Sequence, residues 1–363
     1  MLFFIFHFRM KFSLLSAIAL FAASATAQTN NAIADIDDSA RSLKVSDAEG
    51  DADININRAC HEQNGNYIPS LKTGEYSTSA FHNCFRTVAQ TYEFTDALVA
   101  QNPTLLSKFA ISKTYKGATI YGYKLSKGHS QSLYFQAQVH AREWITGSSI
   151  VFSLASILDD IANKNPTAAD EYDLYFVPIV NVDGVETSWG VRRFLRTNFF
   201  GVDLNRNWPT PFENPKPPVK GDEDWPGLWP LSESENEGIN DWLKTKRNEI
   251  QGFIDFHSTG GLILYPYADN GEPIGGGFDE KFEVLGRGLQ SALGAYTPKP
   301  AHKVYLAYGI FSDYAFREFK KPALTIEIIG SAFNVNASTI PIRGLEVYKG
   351  INQFAKEVTV FNG

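Results

Sequence analysis

At 363 residues the chain has room for one large α/β domain and an additional segment. Its 44% apolar and 20% charged residues are ordinary for a globular protein. A net charge of −7 argues against a nucleic-acid binder, which would present a basic surface.

The N-terminus reads as an export signal. Lys11 is followed by an apolar run from Phe12 to Ala23 and then by small residues, Ser24-Ala25-Thr26-Ala27. Residues 1–27 are therefore expected to be removed, with Met10 as an alternative start. A membrane anchor is the competing reading, but the apolar core is shorter than the ~20 residues a span needs. The expected location is extracellular, with no stable membrane association.

Cys60 and Cys84 are the only cysteines, and in an exported chain they are expected to pair. The closed loop would contribute ~3 kcal/mol; two free buried thiols are the alternative. Residues 28–85 then form a leader and a stapled extension. From 28 to about 57 the chain is acidic, lacks aromatics and reads as flexible. Asn336-Ala337-Ser338 matches the glycosylation acceptor pattern, which is common by chance.

Residues 86–363 have globular texture. Phe94 to Phe109 has helical spacing interrupted by Pro103, and Thr119–Leu125 reads as a strand, rich in β-branched and aromatic residues. Ser132–Val139 is a second strand, Ser148–Ile161 a helix, and Leu174–Val180 a strand buried on both faces. Residues 181–231 form a long irregular stretch, rich in Asn, Pro, Gly and Trp; such a loop is usually functional. A helix follows over Glu233–Lys246, then strands at Gly252–Phe256 and Leu262–Tyr265. A helix over Asp279–Leu293, a core strand over Ala323–Ile329 and a helix over Leu345–Lys356 complete the chain. The alternation predicts an α/β fold.

Chemistry concentrates at strand ends. His140 and Glu143 stand three apart where an apolar strand turns into a helix, a placement from which both can face one ion. A catalytic zinc takes three protein ligands and keeps one position open. His257 follows another apolar strand and is the best third candidate, because sites in open α/β sheets form beyond the carboxyl ends of strands. The other histidines, His7, His61, His82, His129 and His302, lie in leader or polar segments. Taken alone, each of these pieces also has a structural explanation. Glu327 sits among Ile326, Ile328 and Ile329, where a carboxylate needs a partner or a task. A buried salt bridge is one answer; a general base beside a metal is the other. Arg192, Arg193, Arg196 and Arg206 cluster in the long loop and Arg142 lies between the proposed ligands. Arginine binds carboxylates bidentately and stabilises oxyanions.

These residues carry a resemblance. From about Thr87 to its end the chain resembles the secreted zinc carboxypeptidases of the carboxypeptidase A/B type. The likeness rests on His140-Ala141-Arg142-Glu143-Trp144-Ile145, Asn181-Val182-Asp183-Gly184, Gly201-Val202-Asp203-Leu204-Asn205-Arg206-Asn207-Trp208, Phe256-His257-Ser258, Leu264-Tyr265-Pro266-Tyr267 and Thr325-Ile326-Glu327, in the family's order. It implies a three-layer fold with a mixed, mostly parallel twisted sheet and helices on both faces. It implies one Zn2+ per chain held by His140, Glu143 and His257, with Glu327 as general base. Arg196 matches the oxyanion-stabilising arginine, with Arg193 as the alternative if the alignment slips by three. Asn205 and Arg206 would hold the substrate's terminal carboxylate, and Arg142 would serve the next subsite. Tyr305, or Tyr308 three residues on, would close over the bound residue. Ser312 matches the base of the specificity pocket.

The implied activity is release of single C-terminal residues from peptides or proteins by a monomeric enzyme. Two features depart from the family. Thr259-Gly260 stands where a tyrosine-containing pair is common, and Ser312 is neither an acid nor a large aliphatic. With Ala268, Ala307, Ile310 and Thr325 also at pocket positions, neutral, apolar or aromatic C-terminal residues are expected. The segment before Asn83 looks too short for the family's inhibitory pro-domain. A zinc amidohydrolase acting on small acyl amino acids, and an inactive relative that binds C-termini, are the competing readings.

Overall fold

The computed structural model describes residues 48–363, so the signal-like segment and residues 28–47 lie outside the described residues. Residues 50–363 form one compact unit. Helix α1 covers residues 48–63. This corrects the expectation of a flexible leader through residue 57. Gly50, Ile54 and Asn57 are buried at helical spacing, while Asp51 and Ile56 face solvent. Only one large apolar side chain marks the inner face, which is why the acidic composition concealed it. The Cys60–Cys84 disulfide ties the end of α1 to the chain before α2 (Val88–Gln101).

The sheet has eight strands: β1 (Leu106–Lys113), β2 (Thr119–Leu125), β3 (Ser132–Ala137), β4 (Asp173–Val177), β5 (Ile250–Ser258), β6 (Leu262–Tyr265), β7 (Thr297–Pro300) and β8 (Ala323–Ile328). Their order is β1-β2-β4-β3-β5-β8-β6-β7. The central pairings of β3 with β4, β3 with β5, and β5 with β8 are parallel, and antiparallel strands flank them. This is the expected mixed sheet.

The remaining helices are α3 (Trp144–Asn163), α4 (Val182–Ser188), α5 (Ser234–Thr245), α6 (Phe278–Leu293), α7 (Phe311–Phe319) and α8 (Ile340–Asn362). Side-chain alternation assigns them to two outer layers. Phe135 on β3 meets Phe256 of β5 and Phe354 of α8 on one face. Its neighbour Tyr134 points the other way, to Trp242 of α5 and Phe311 of α7. Helix α3 is apolar and long enough to cross a membrane by composition, but 78% of its apolar window is buried within the protein.

Three local readings change. The helix expected over Phe94–Phe109 begins earlier and stops before Pro103. Thr87 caps it by accepting from Gln90 N, and Asn102 ends it. The residues after it form β1, whose alternation is broken by an irregularity between Ala110 and Ser112. The stretch 181–231 also contains α4, started by Asn181, whose side chain accepts from Gly184 N.

Candidate metal centre and substrate cavity

The parallel register assembles the centre. In β5, Asp255 and His257 are two apart and share a face; in β8, Thr325 and Glu327 do the same. Pairing sets Asp255 beside Thr325 and His257 beside Glu327. The corner between β3 and α3 brings His140 and Glu143 to the same place. Glu143 is the residue that caps α3, yet its side chain caps nothing. Instead its Oε2 accepts from Ser258 N at 3.1 Å, fastening the corner to the end of β5.

His140, Glu143 and His257 are all buried, and one potential ligand atom from each lies within 4.8 Å of the others. Nδ1 of His140 is 3.0 Å from Nδ1 of His257 and 2.9 Å from Oε1 of Glu143. Nδ1 of His257 is 3.3 Å from Oε2 of Glu143. Both imidazoles thus turn Nδ1 inward. Each is anchored by a carboxylate on its other nitrogen: Nε2 of His140 is 3.1 Å from Oδ1 of Asp203, and Nε2 of His257 is 2.8 Å from Oδ2 of Asp255. Such a partner fixes the tautomer that leaves Nδ1 free to bind a cation and makes it more basic. Two imidazole nitrogens and one carboxylate, surrounded by further carboxylates, fit a zinc ion.

Asp203 and Asp255 were not singled out from the sequence as site residues. Asp203 is a hub. Arg196 donates to its Oδ2 through Nε (2.9 Å) and Nη2 (2.7 Å), and Asn205 N donates to its Oδ1 (2.8 Å). Burial alone would raise the Asp203 carboxyl, but Arg196, His140 and Arg206 hold it well below the usual range. Removing either anchor while keeping its shape should loosen the metal. Asp203→Asn and Asp255→Asn are each expected to weaken zinc affinity by about 10- to 100-fold, measured by competition with a chromophoric chelator. Unchanged affinity in both would show that the anchors are passive.

The three candidate ligands open onto a cavity of about 240 Å³. Glu327, Arg196, Asn205, Arg206 and Tyr305 line it too. The Glu327 carboxylate accepts no hydrogen bond from a described residue. Burial pushes its carboxyl up to about 7, with Glu143 and Asp255 adding to the rise while His257 and Arg196 oppose it. Burial lowers the Arg196 guanidinium, but Asp203 and Glu143 outweigh it and keep Arg196 charged. Its Nη1 is directed at His140 Nδ1, 3.4 Å away. Asn205 is locked by accepting from Phe311 N (2.8 Å). Arg206 donates through Nη1 to Asn205 O (2.8 Å). Gly309 lies against it with φ of +66°, and a Cβ there would stand 2.1 Å from Arg206 O. Tyr305 is 51% exposed, with its ring 5.9 Å from the Arg206 guanidinium.

Of each pair of alternatives, one residue lines the cavity and the other does not. Arg196 lines the cavity; Arg193 does not, and is buried and fully engaged. Tyr305 lines it; Tyr308 does not. Leu264, Ala268, Ala301, Ala307 and Ile310 form an apolar pocket within the cavity. Ser312, placed at the pocket base from the sequence, is not itself a lining residue. Its Oγ is 3.1 Å from Thr325 Oγ1, and Thr325 occupies the wall. Arg142 is likewise outside the cavity lining. It pairs with Glu223 (3.0 Å) and stacks 4.3 Å from the ring of Phe333, which does line the cavity.

Two carboxylate-anchored imidazoles and a carboxylate, brought together at the ends of parallel strands, form a candidate metal centre. Comparison with known proteins gives the lineage. The model of the zinc carboxypeptidase family, peptidase M14, matches residues 91–350. Human carboxypeptidase A1 is 30% identical over 277 residues, covering 69% of this chain and 64% of that protein. A zinc carboxypeptidase of Simulium vittatum is 32% identical over 196 residues, covering 50% of this chain and 64% of that protein. The alignments thus span just under two thirds of these relatives. Among solved structures, thrombin activatable fibrinolysis inhibitor superposes with a TM-score of 0.74 at 22% identity, covering 83% of this chain and 80% of that one. Carboxypeptidase A from Helicoverpa armigera superposes with a TM-score of 0.72 at 20% identity, covering 84% and 80%. The chain belongs to the zinc carboxypeptidase family.

Proposed function

We propose that the protein is a secreted carboxypeptidase with one zinc per chain, which hydrolyses the C-terminal peptide bond of peptides or proteins and releases single neutral or apolar residues. The observation that carries this reading is one cavity in which the His140, Glu143 and His257 cluster, Glu327, Arg196 and Arg206 all meet. When bound, zinc would supply Lewis acidity to the scissile carbonyl and make water easier to deprotonate.

The chain's own groups divide the remaining work. Arg206, with Asn205 beside it, receives the terminal carboxylate and sets the distance from that carboxylate to the reacting bond. The apolar pocket takes the last side chain. Glu327 removes a proton from the attacking water and returns it to the leaving amine; a carboxyl raised by burial suits both halves of that task. The charge of a dication would draw its value back down. Arg196, held by Asp203, presents Nη1 toward the carbonyl oxygen as negative charge develops. Tyr305, exposed at the rim, covers the bound residue and excludes water.

Secretion accords with the signal-like N-terminus and with the Cys60–Cys84 bridge, a linkage of oxidising compartments.

The pocket wall carries no charge besides the groups already assigned. A C-terminal Lys, Arg, Asp or Glu would bury an unpaired charge there. With N-blocked tripeptides differing only in the last residue, kcat/KM should be at least about 100-fold higher for Leu or Phe than for Lys or Asp. Faster release of a charged residue would refute the pocket assignment. No release of any C-terminal residue would refute the function.

A further inference from the structure

Arg193 is used by none of the steps above, yet it is among the most constrained side chains near the site. Its guanidinium is fully buried, with side-chain exposure of 0%. Nε donates to Oδ2 of Asp53 at 2.6 Å, Nη1 to the carbonyl of Arg142 at 2.8 Å, and Nη2 to the carbonyl of Phe333 at 2.9 Å. Its face lies 3.6 Å from the ring of Trp144. One side chain therefore joins three parts of the molecule. These are helix α1, the corner that carries Glu143, and the loop that brings Phe333 into the cavity wall.

Asp53 supplies the only ion pair Arg193 makes among the described residues. Without it, a guanidinium would be buried with only carbonyl dipoles around it, which is costly. Helix α1 is shaped for this contact. At Gly50, three residues before Asp53, an added Cβ would stand 2.8 Å from the Cβ of Arg193. Phe333 is not part of the apolar pocket for the last residue, and Arg142 stacks on Phe333 while reaching the exposed Glu223. Glu223 is 64% exposed, so this side of the cavity borders solvent, and on the peptidase reading the residues upstream of the scissile bond would run out over it.

We propose that α1 is a fixed buttress behind the substrate cleft and that Asp53 is a positioning residue. By neutralising Arg193 it holds Phe333 and Arg142 in place for the residues upstream of the scissile bond. The inference rests on the peptidase reading and adds its substrate class: extended peptides, whose binding depends on a segment outside the catalytic layers. The disulfide makes the buttress durable, because a cut in the chain between residues 60 and 84 would leave α1 attached.

The test compares Asp53→Asn and Asp53→Glu with the unaltered protein on an N-blocked dipeptide and an N-blocked pentapeptide ending in the same two residues. In D53N the KM for the pentapeptide should rise about tenfold, with kcat nearly unchanged and the dipeptide constants within about twofold; D53E should recover most of the loss. Equal changes for both peptides in D53N would overturn the proposal. Hydrogen exchange of residues 330–336 gives a second readout that needs no activity. It should quicken about tenfold in folded D53N, and an unchanged rate would also overturn the proposal. If D53N does not fold, Arg193→Lys keeps the ion pair but cannot reach both carbonyls, and the same two readouts apply. If the unaltered protein cleaves neither peptide, the proposed function fails, and the exchange experiment alone decides whether Asp53 holds the loop.

Discussion

Glu327→Gln should retain its zinc and lose turnover by about 10² to 10⁴-fold, the range in which a positioned acid–base group contributes. That corresponds to roughly 3–5 kcal/mol of transition-state stabilisation. Glutamine keeps the size and polarity of the side chain but cannot take a proton. Glu327 is not one of the three converging candidate ligands, so metal content should not follow activity down. The strand β8 should be undisturbed, because the Glu327 carboxylate accepts no hydrogen bond from a described residue and faces the cavity. The informative comparison is kcat against KM. A fall in kcat with KM near its original value marks a group that acts in the transition state. Turnover within about twofold of the unaltered protein, at equal zinc content, would remove Glu327 from the reaction.

The other large effect concerns the substrate's end. Replacing a peptide's terminal carboxylate with an amide removes the negative charge that Arg206 is proposed to meet. Truncating one partner of a desolvated charge pair costs about 2–5 kcal/mol, so kcat/KM for the amide should fall by at least about 30-fold. Arg206→Met should lower the rate on the free acid by a similar factor while changing the amide far less, so that the acid-to-amide ratio collapses toward one. This cycle isolates the pair from general damage to the site. A ratio that stays large in the variant would move carboxylate recognition to another residue lining the cavity.

The residues that converge at the candidate site carry unequal signals in the sequence. His140, Glu143 and His257 stand out because they follow apolar strands, and Glu327 because a carboxylate flanked by isoleucines is costly without a partner or a task; the parallel register of β5 and β8 sets His257 beside Glu327. Asp255 obeys the same rule: it is two residues before His257, so strand alternation alone puts the two side chains on one face. Its neighbours Phe253, Ile254 and Phe256 make the stretch read as a plain core strand. Asp203 stood inside a motif whose Asn205 and Arg206 drew attention first. Arg193 and Arg196 could not be separated from sequence, because an irregular loop has no period to orient its side chains. Only the tertiary contacts of Arg193 with Asp53, Arg142 and Phe333 show which one is turned away.

The fold has similar blind spots. Long, strongly apolar elements such as β5, β8 and α3 agree with their expected positions. Helix α1 was missed because its inner face is held by an ion pair and an asparagine more than by apolar bulk. Strand β7, Thr297–Pro300, contains two prolines and survives as an edge strand, where missing N–H donors cost least. Helix α7 was hidden because its aromatic residues suit a strand as well as a helix; tertiary packing of Phe311 on Tyr134 and Phe253 settles it.

One measurement addresses the metal, the free carboxylate and the single released residue together. Pairs of N-blocked peptides, each as free acid and as amide, are incubated with the native protein, with protein stripped by a chelator, and with stripped protein resupplied with zinc; products are read by mass. The expected result is stepwise loss of C-terminal residues from the free acids, none after stripping, recovery with zinc, and little cleavage of the amides. Internal cleavage, equal rates on acid and amide, or undiminished activity in metal-stripped protein would contradict it.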